Sequence, residues 1–156
     1  MASTVFFSFH YDADKFRLWN VRNSGQFTNK LVDSGTFRSR DVWESVRLRS
    51  NKAIKDWIDE GLKYSGVTVV LISGETWMRD WVRYEIEESE RQGMGMLGVY
   101  VDGIKDMATQ QYGIRGLSPF DYADIEKYYR TYDWVNDLGK YYFSDWVEQA
   151  AIEARR

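Results

Sequence analysis

Residues 67–72, Val-Thr-Val-Val-Leu-Ile, constrain the fold more than any other stretch of the chain. The run is continuous, β-branched and apolar on both alternating faces. A strand of that kind has to be covered on both sides, the condition of a central strand in a parallel sheet. Val5-Phe6-Phe7-Ser8-Phe9 is a second short apolar run without helical spacing and reads as another buried strand. Phe27 to Val32 and Met96 to Val101 supply two more, the latter with Gly98 inside it. Helices are predicted between them. The first is capped by Asp12 and passes through Lys15, Phe16, Leu18, Trp19 and Val21 to close near Asn23-Ser24-Gly25. The second starts at Asn51 and carries Ile54, Trp57, Ile58 and Leu62 on one face. The third runs from Trp77 to about Arg91 with Thr76 as N-cap, and the last starts near Asp145, capped by Ser144. Strand and helix alternate, so the expected class is α/β: a flavodoxin-like three-layer sandwich with a central parallel sheet of about five strands and helices on both faces. One proline (Pro119), no repeat and no low-complexity tract predict a single domain over residues 1–156.

Right-handed crossovers bring every strand-to-helix turn to one edge of such a sheet. Ligands bind at that edge, near the point where the strand order reverses. Residues 8–12, 34–40 and 73–77 are therefore predicted to form one rim, in which Tyr11, Ser73, Thr76 and Trp77 are candidate substrate-binding positions.

Composition removes several chemistries. The chain has no cysteine, which excludes thiolate nucleophiles, disulfides and zinc–thiolate sites, and a single histidine argues against a histidine metal centre. A net charge of -3 argues against a dedicated nucleic-acid binder. No basic leader and no run of apolar residues long enough for a membrane span is present, so the expected compartment is the cytoplasm. Gly93-Met94-Gly95-Met96-Leu97-Gly98 spells a dinucleotide fingerprint in the wrong context, since it follows a helix and enters a strand; it is expected to be a plain turn. The basic residues Arg38, Arg40, Arg47, Arg49, Lys52 and Lys55 read either as a solvated face or as a rim that attracts phosphate. His10, at the end of a strand, reads as structural or as a hydrogen-bond partner for a ligand.

Glu85 stands out among the carboxylates. At 100° per residue, Trp77, Met78, Trp81, Val82 and Ile86 cover an arc from about 0° to 180°, and Glu85 falls inside it at about 80°. Glu87 and Glu90 fall outside, where solvated acids belong. A carboxylate inside an apolar arc must be desolvated or must line a cavity, and either is costly unless something pairs with it. Two readings follow: a glutamate that reaches the rim and pairs with an arginine, or a functional carboxylate beside the indole of Trp81, four residues away on the same face.

Phe7-Ser8-Phe9 at the end of the first strand, with Trp81-Val82-Arg83-Tyr84-Glu85 on the helix after the third, resembles the Toll/interleukin-1 receptor (TIR) domain. Residues 7–12 with Val21-Arg22-Asn23-Ser24, then Tyr132-Asp133-Trp134-Val135 and Trp146-Val147-Glu148-Gln149-Ala150-Ala151, resemble more closely the TIR-like ThsB group of the Thoeris antiphage system. The resemblance implies that Glu85 is the catalytic glutamate of an NAD-cleaving enzyme. It implies also that Trp81 supports the nicotinamide end and that Ser8, Phe9 and His10 line the pocket. Residues 34–50 would stand where the family has its BB loop. NAD would be the substrate, with no prosthetic group and no metal. A site built between two protomers is implied, as is a cyclic ADP-ribose isomer that serves as second messenger for a separate effector. The rival expectations are a non-catalytic scaffold that works by protein–protein assembly, and ADP-ribosyl transfer to a small molecule. The aromatic stretch 112–143 is expected to serve as core and interface.

Overall fold

The computed structural model describes residues 3–24, 32–33, 51–63 and 65–154. The predicted strand from Phe27, most of the basic run and the segment 34–50 lie outside them, apart from Val32, Lys52 and Lys55. Among the described residues the strands and α-helices are, in order, β1 (Ser3–Ser8), α1 (Tyr11–Arg22), β2 (Val32–Asp33), α2 (Asn51–Lys63), β3 (Val67–Ile72), α3 (Asp80–Arg91), β4 (Gly95–Tyr100), β5 (Thr131–Asp133) and α4 (Gly139–Ala154). Four strands, β1-β3-β4-β5, form the central sheet, and the two-residue β2 extends it beside β1, giving the order β2-β1-β3-β4-β5. Every pairing is parallel. The strand order reverses between β1 and β3, so the ligand crevice of this architecture opens beyond the ends of those two strands.

The pleat sorts side chains to two layers. Val5, Phe7, Val67, Val69, Leu71, Leu97 and Val99 pack with Leu18 and Val21 of α1 and with Phe143, Trp146 and Val147 of α4. Phe6 meets Ile58 and Leu62 of α2, while Val70, Ile72 and Met96 meet Val82 and Ile86 of α3. All six residues of β3 are buried, as a strand covered on both faces requires.

Four boundaries differ from the sequence reading, each for a physical reason. α1 starts at Tyr11 with His10 in the N-cap position, two residues earlier than an Asp12 cap would place it. The predicted helix from Trp77 is interrupted: Thr76–Met78 form a single 3-10 turn, Arg79 is extended, and the α-helix begins at Asp80. Thr76 does not cap it, because its Oγ1 accepts the Ser73 N–H at 2.9 Å and closes the turn after β3 instead. The last helix starts at Gly139 rather than Asp145, although Gly-Lys-Tyr-Tyr is a poor helical opening. A Cβ at Gly139 would run into the Trp134 ring, so the close approach explains the glycine. Finally, β5 is a strand of three residues inside the aromatic stretch, where no strand is predicted; Gly98 N–H donates to Arg130 O at 2.9 Å and Trp134 N–H to Tyr100 O at 3.0 Å beside it.

The aromatic stretch divides. Trp134 and Phe143 are core, with Tyr132 stacked on Trp146 at 4.2 Å, whereas Tyr112, Tyr128 and Tyr141 are exposed. Glu87 and Glu90 are not merely solvated acids: Glu87 accepts the Asp124 N–H, and Glu90 accepts the N–H groups of Glu126 and Lys127 and the Tyr129 hydroxyl. They fasten an irregular segment along α3. Gly93, at φ +74°, makes the turn between α3 and β4, and no helix opens after it.

Candidate functional site

Glu85 projects from the buried face of α3, and only 7% of its surface is exposed. α3 is held at that height by a polar thread: Thr68 of β3 bonds Ser89 at 2.7 Å, and the Ser89 hydroxyl donates to the Glu85 carbonyl at 2.6 Å. The Ser8 hydroxyl, at the end of β1, donates to Glu85 Oε1 at 2.5 Å. Burial pushes the Glu85 carboxyl up to about 8, against a downward pull from Ser8. No cation among the described residues acts on it, so the arginine-paired reading of Glu85 does not hold there. Desolvated, bonded to the Ser8 hydroxyl and without a counter-charge among the described residues, this carboxyl favours its protonated form.

On the other face of the same edge stands a second pair. Ser73, just past β3, donates to Asp14 Oδ2 at 2.5 Å, and Asp14 is fully buried. Arg17, one turn on, pairs with Asp14 Oδ1 at 3.0 Å. Burial pushes the Asp14 carboxyl up, while Ser73, Arg17 and the nearby His10 pull it back down. Arg17 is itself 6% exposed and donates to the carbonyls of Ala13, Ile104 and Gln111. The sequence reading missed Asp14 and Arg17, though the signal that exposed Glu85 was available. Asp14, Arg17, Leu18 and Val21 stand at i, i+3, i+4 and i+7, so two charged residues lie on the apolar face of α1.

The predicted rim is partly assembled. Ser8 and Glu85 meet directly. Ser73 and Thr76 are buried and bond each other, Asp14 being the partner of Ser73. Phe9 packs with the α1–α4 core, on the opposite layer from Glu85. His10 is half-buried at the start of α1, and Tyr11 opens that helix, its side chain lying outside the described residues. Trp77 is half-buried with its ring 4.8 Å from that of Tyr122. Trp81 packs with Phe6, Ile58, Leu62 and Met94 and meets Tyr84 edge-on at 5.8 Å. Among the described residues, no group of three or more histidine, cysteine, aspartate or glutamate side chains gathers as a metal site, and no helix is long and apolar enough to cross a membrane. Lys52 pairs with Asp56 at 2.7 Å on an exposed turn of α2, so this part of the basic run is a solvated face.

Comparison with known proteins shows the family. Residues 6–106, from β1 past β4, match the family described as Thoeris protein ThsB, TIR-like domain. A protein of Bacillus cereus strain MSX-D12 named "Putative cyclic ADP-D-ribose synthase ThsB1" is 34% identical over an alignment of 198 positions, covering 94% of this chain and 100% of that protein. The family match takes in both Ser8 and Glu85, and the relative covers more of the chain than the family match does. With its parallel α/β sheet in the order 2-1-3-4-5, the chain belongs to the TIR-like ThsB family.

Proposed function

We propose that this protein cleaves NAD at the nicotinamide–ribose bond and closes the remaining ADP-ribose into a cyclic isomer, a second messenger for a separate effector in antiphage defence. One observation carries the reading: a buried carboxyl without a cation among the described residues, Glu85, bonded to Ser8 beside the reversal of strand order. The name of the Bacillus cereus relative supports it.

The chemistry needs little else. The bond between C1′ of the ribose and the pyridinium nitrogen breaks, and its electron pair stays on that nitrogen, so nicotinamide leaves neutral and no general acid is required. This separates the reaction from ordinary glycoside hydrolysis, in which a second carboxyl protonates the leaving group. The pyridinium of bound NAD favours the charged form of Glu85, whose proton goes to solvent as substrate enters. The carboxylate then hydrogen-bonds ribose hydroxyls and stabilises the positive charge that develops on the ribose. A nucleophile within the same molecule gives the cyclic isomer and releases nothing but nicotinamide and a proton, whereas water gives ADP-ribose. A site from which water is excluded favours the first.

The test is chromatography with mass spectrometry of NAD incubated with wild type and with Glu85→Gln, then repeated in extract from phage-challenged cells. Nicotinamide with a product one water lighter than ADP-ribose, reduced in the variant by about 10²-fold or more, is the expected result. Silence of the wild type in both settings would favour the scaffold reading, and an unchanged Glu85→Gln would mean that cleavage does not depend on Glu85. A conjugate heavier than ADP-ribose would indicate transfer to a small molecule.

A further inference from the structure

The segment between β4 and the 3-10 turn at Pro119–Tyr122 has almost no regular structure, yet it is tied down at the carboxyl edge of the sheet. Arg17 does much of the tying. Its Nε donates to Ile104 O at 2.9 Å and its Nη2 to Gln111 O at 3.3 Å, while Nη1 stays with Asp14. Gly113 passes so close over the guanidinium that a Cβ there would stand 3.2 Å from Arg17 Cζ. Three residues on, Gly116 lies against the turn after β3, where a Cβ would overlap the carbonyl oxygens of Ser73 and Gly74. Arg115, between these glycines, pairs with Asp102 at 3.0 Å and with Asp133 of β5. The segment thus rests on Ser73–Gly74, one lip of the crevice between β1 and β3, and the network beneath it is Ser73–Asp14–Arg17.

We propose that Arg17 and Asp14 are positioning residues for the reaction at Glu85. By clamping residues 102–117 onto the turn after β3 they keep water from the crevice, and so set the division between cyclised and hydrolysed product. The inference rests on the proposed NAD cleavage. A buried arginine that donates to two loop carbonyls and a carboxylate uses its planar fork, which a lysine cannot reproduce. Arg17→Lys retains the cation for Asp14 and gives up the simultaneous hold on Ile104 and Gln111. Gly116→Ala leaves the Asp14 and Arg17 side chains unaltered and displaces the segment from its other end, at the carbonyls of Ser73 and Gly74.

Both variants are incubated with NAD beside the wild type, with nicotinamide, cyclic product and ADP-ribose quantified together. The expected result is nicotinamide release in each, with the ratio of ADP-ribose to cyclic product raised about fivefold or more and backbone amides 102–117 exchanging faster with deuterium. A network that only stabilised the fold would lower the melting temperature and leave that ratio alone. An unchanged ratio in both variants overturns the inference while leaving the proposed function standing. A shift in Gly116→Ala alone overturns the assignment to Arg17. A wild type that forms only ADP-ribose overturns the inference too, and one that releases no nicotinamide contradicts the proposed function itself.

Discussion

Two buried carboxyls stand at the same edge of the sheet, one on each face, and each takes a 2.5 Å hydrogen bond from a serine at the end of a strand. Asp14 has Ser73 and also Arg17; Glu85 has Ser8 and, among the described residues, no cation. With similar burial and the same kind of hydroxyl donor, the difference lies in the counter-charge. Asp14 belongs to a completed network whose cation goes on to hold the 102–117 segment. Glu85 has no such cation among the described residues, and under the proposed function the pyridinium of NAD would supply it. A carboxylate whose charge is solvated inside the fold is structural; one whose charge is left for a ligand to satisfy is where function is to be sought.

The comparison breaks or sharpens under substitution. The largest effect is expected for Glu85→Gln, on stability and in the favourable direction. The folded Glu85 carboxyl titrates near 8, well above its ordinary value of 4.5. Its contribution to stability is therefore fully present below pH 4.5 and is lost as pH rises through 8, by as much as roughly 5 kcal/mol across that window. Glutamine keeps an acceptor for Ser8 without the charge. Thermal melts should show Glu85→Gln equal to wild type near pH 5 and clearly more stable at pH 9, and equal melting temperatures at both would deny that Glu85 is held uncharged. Asp14→Asn should do the reverse at neutral pH, because it strands the buried Arg17 guanidinium, at a cost of about 3–5 kcal/mol. Denaturant unfolding measures it, and a loss below 1 kcal/mol would mean that the two carboxyls differ less than their partners suggest. The smallest effect is expected for Ser8→Ala. Loss of the hydroxyl removes the one downward pull on Glu85 and should reduce NAD cleavage about tenfold at pH 7 while moving the pH profile upward.

Much of this was legible in residue patterns. The β-branched run at 67–72 and the apolar run at 5–9 identify the two strands that flank the crevice, and Glu85 is recognisable because the wheel of its helix leaves it among apolar neighbours. That inference survives the break at Arg79: even with Trp77 and Met78 outside α3, Val82, Ile86 and Ser89 still surround Glu85 on the buried face. What was not legible depends on contacts distant in sequence. β5 is a strand because Gly98 and Tyr100 of β4 receive it, not because Thr-Tyr-Asp favours extension. Glu87 and Glu90 look solvated on a wheel, since nothing local says that backbone amides from 124–127 will come to them. Asp14 and Arg17 could have been found by the reasoning applied to Glu85, but their partners Ser73, Ile104 and Gln111 could not.

The most direct measurement of the central claim is a carbon-13 NMR titration of the Glu85 carboxyl, free and bound to a carbocyclic NAD analogue that cannot be cleaved. A midpoint near 8 in the free protein, falling when the cationic analogue binds, is the predicted result. A midpoint in the ordinary carboxylate range in the free protein, unmoved by the analogue, would contradict it.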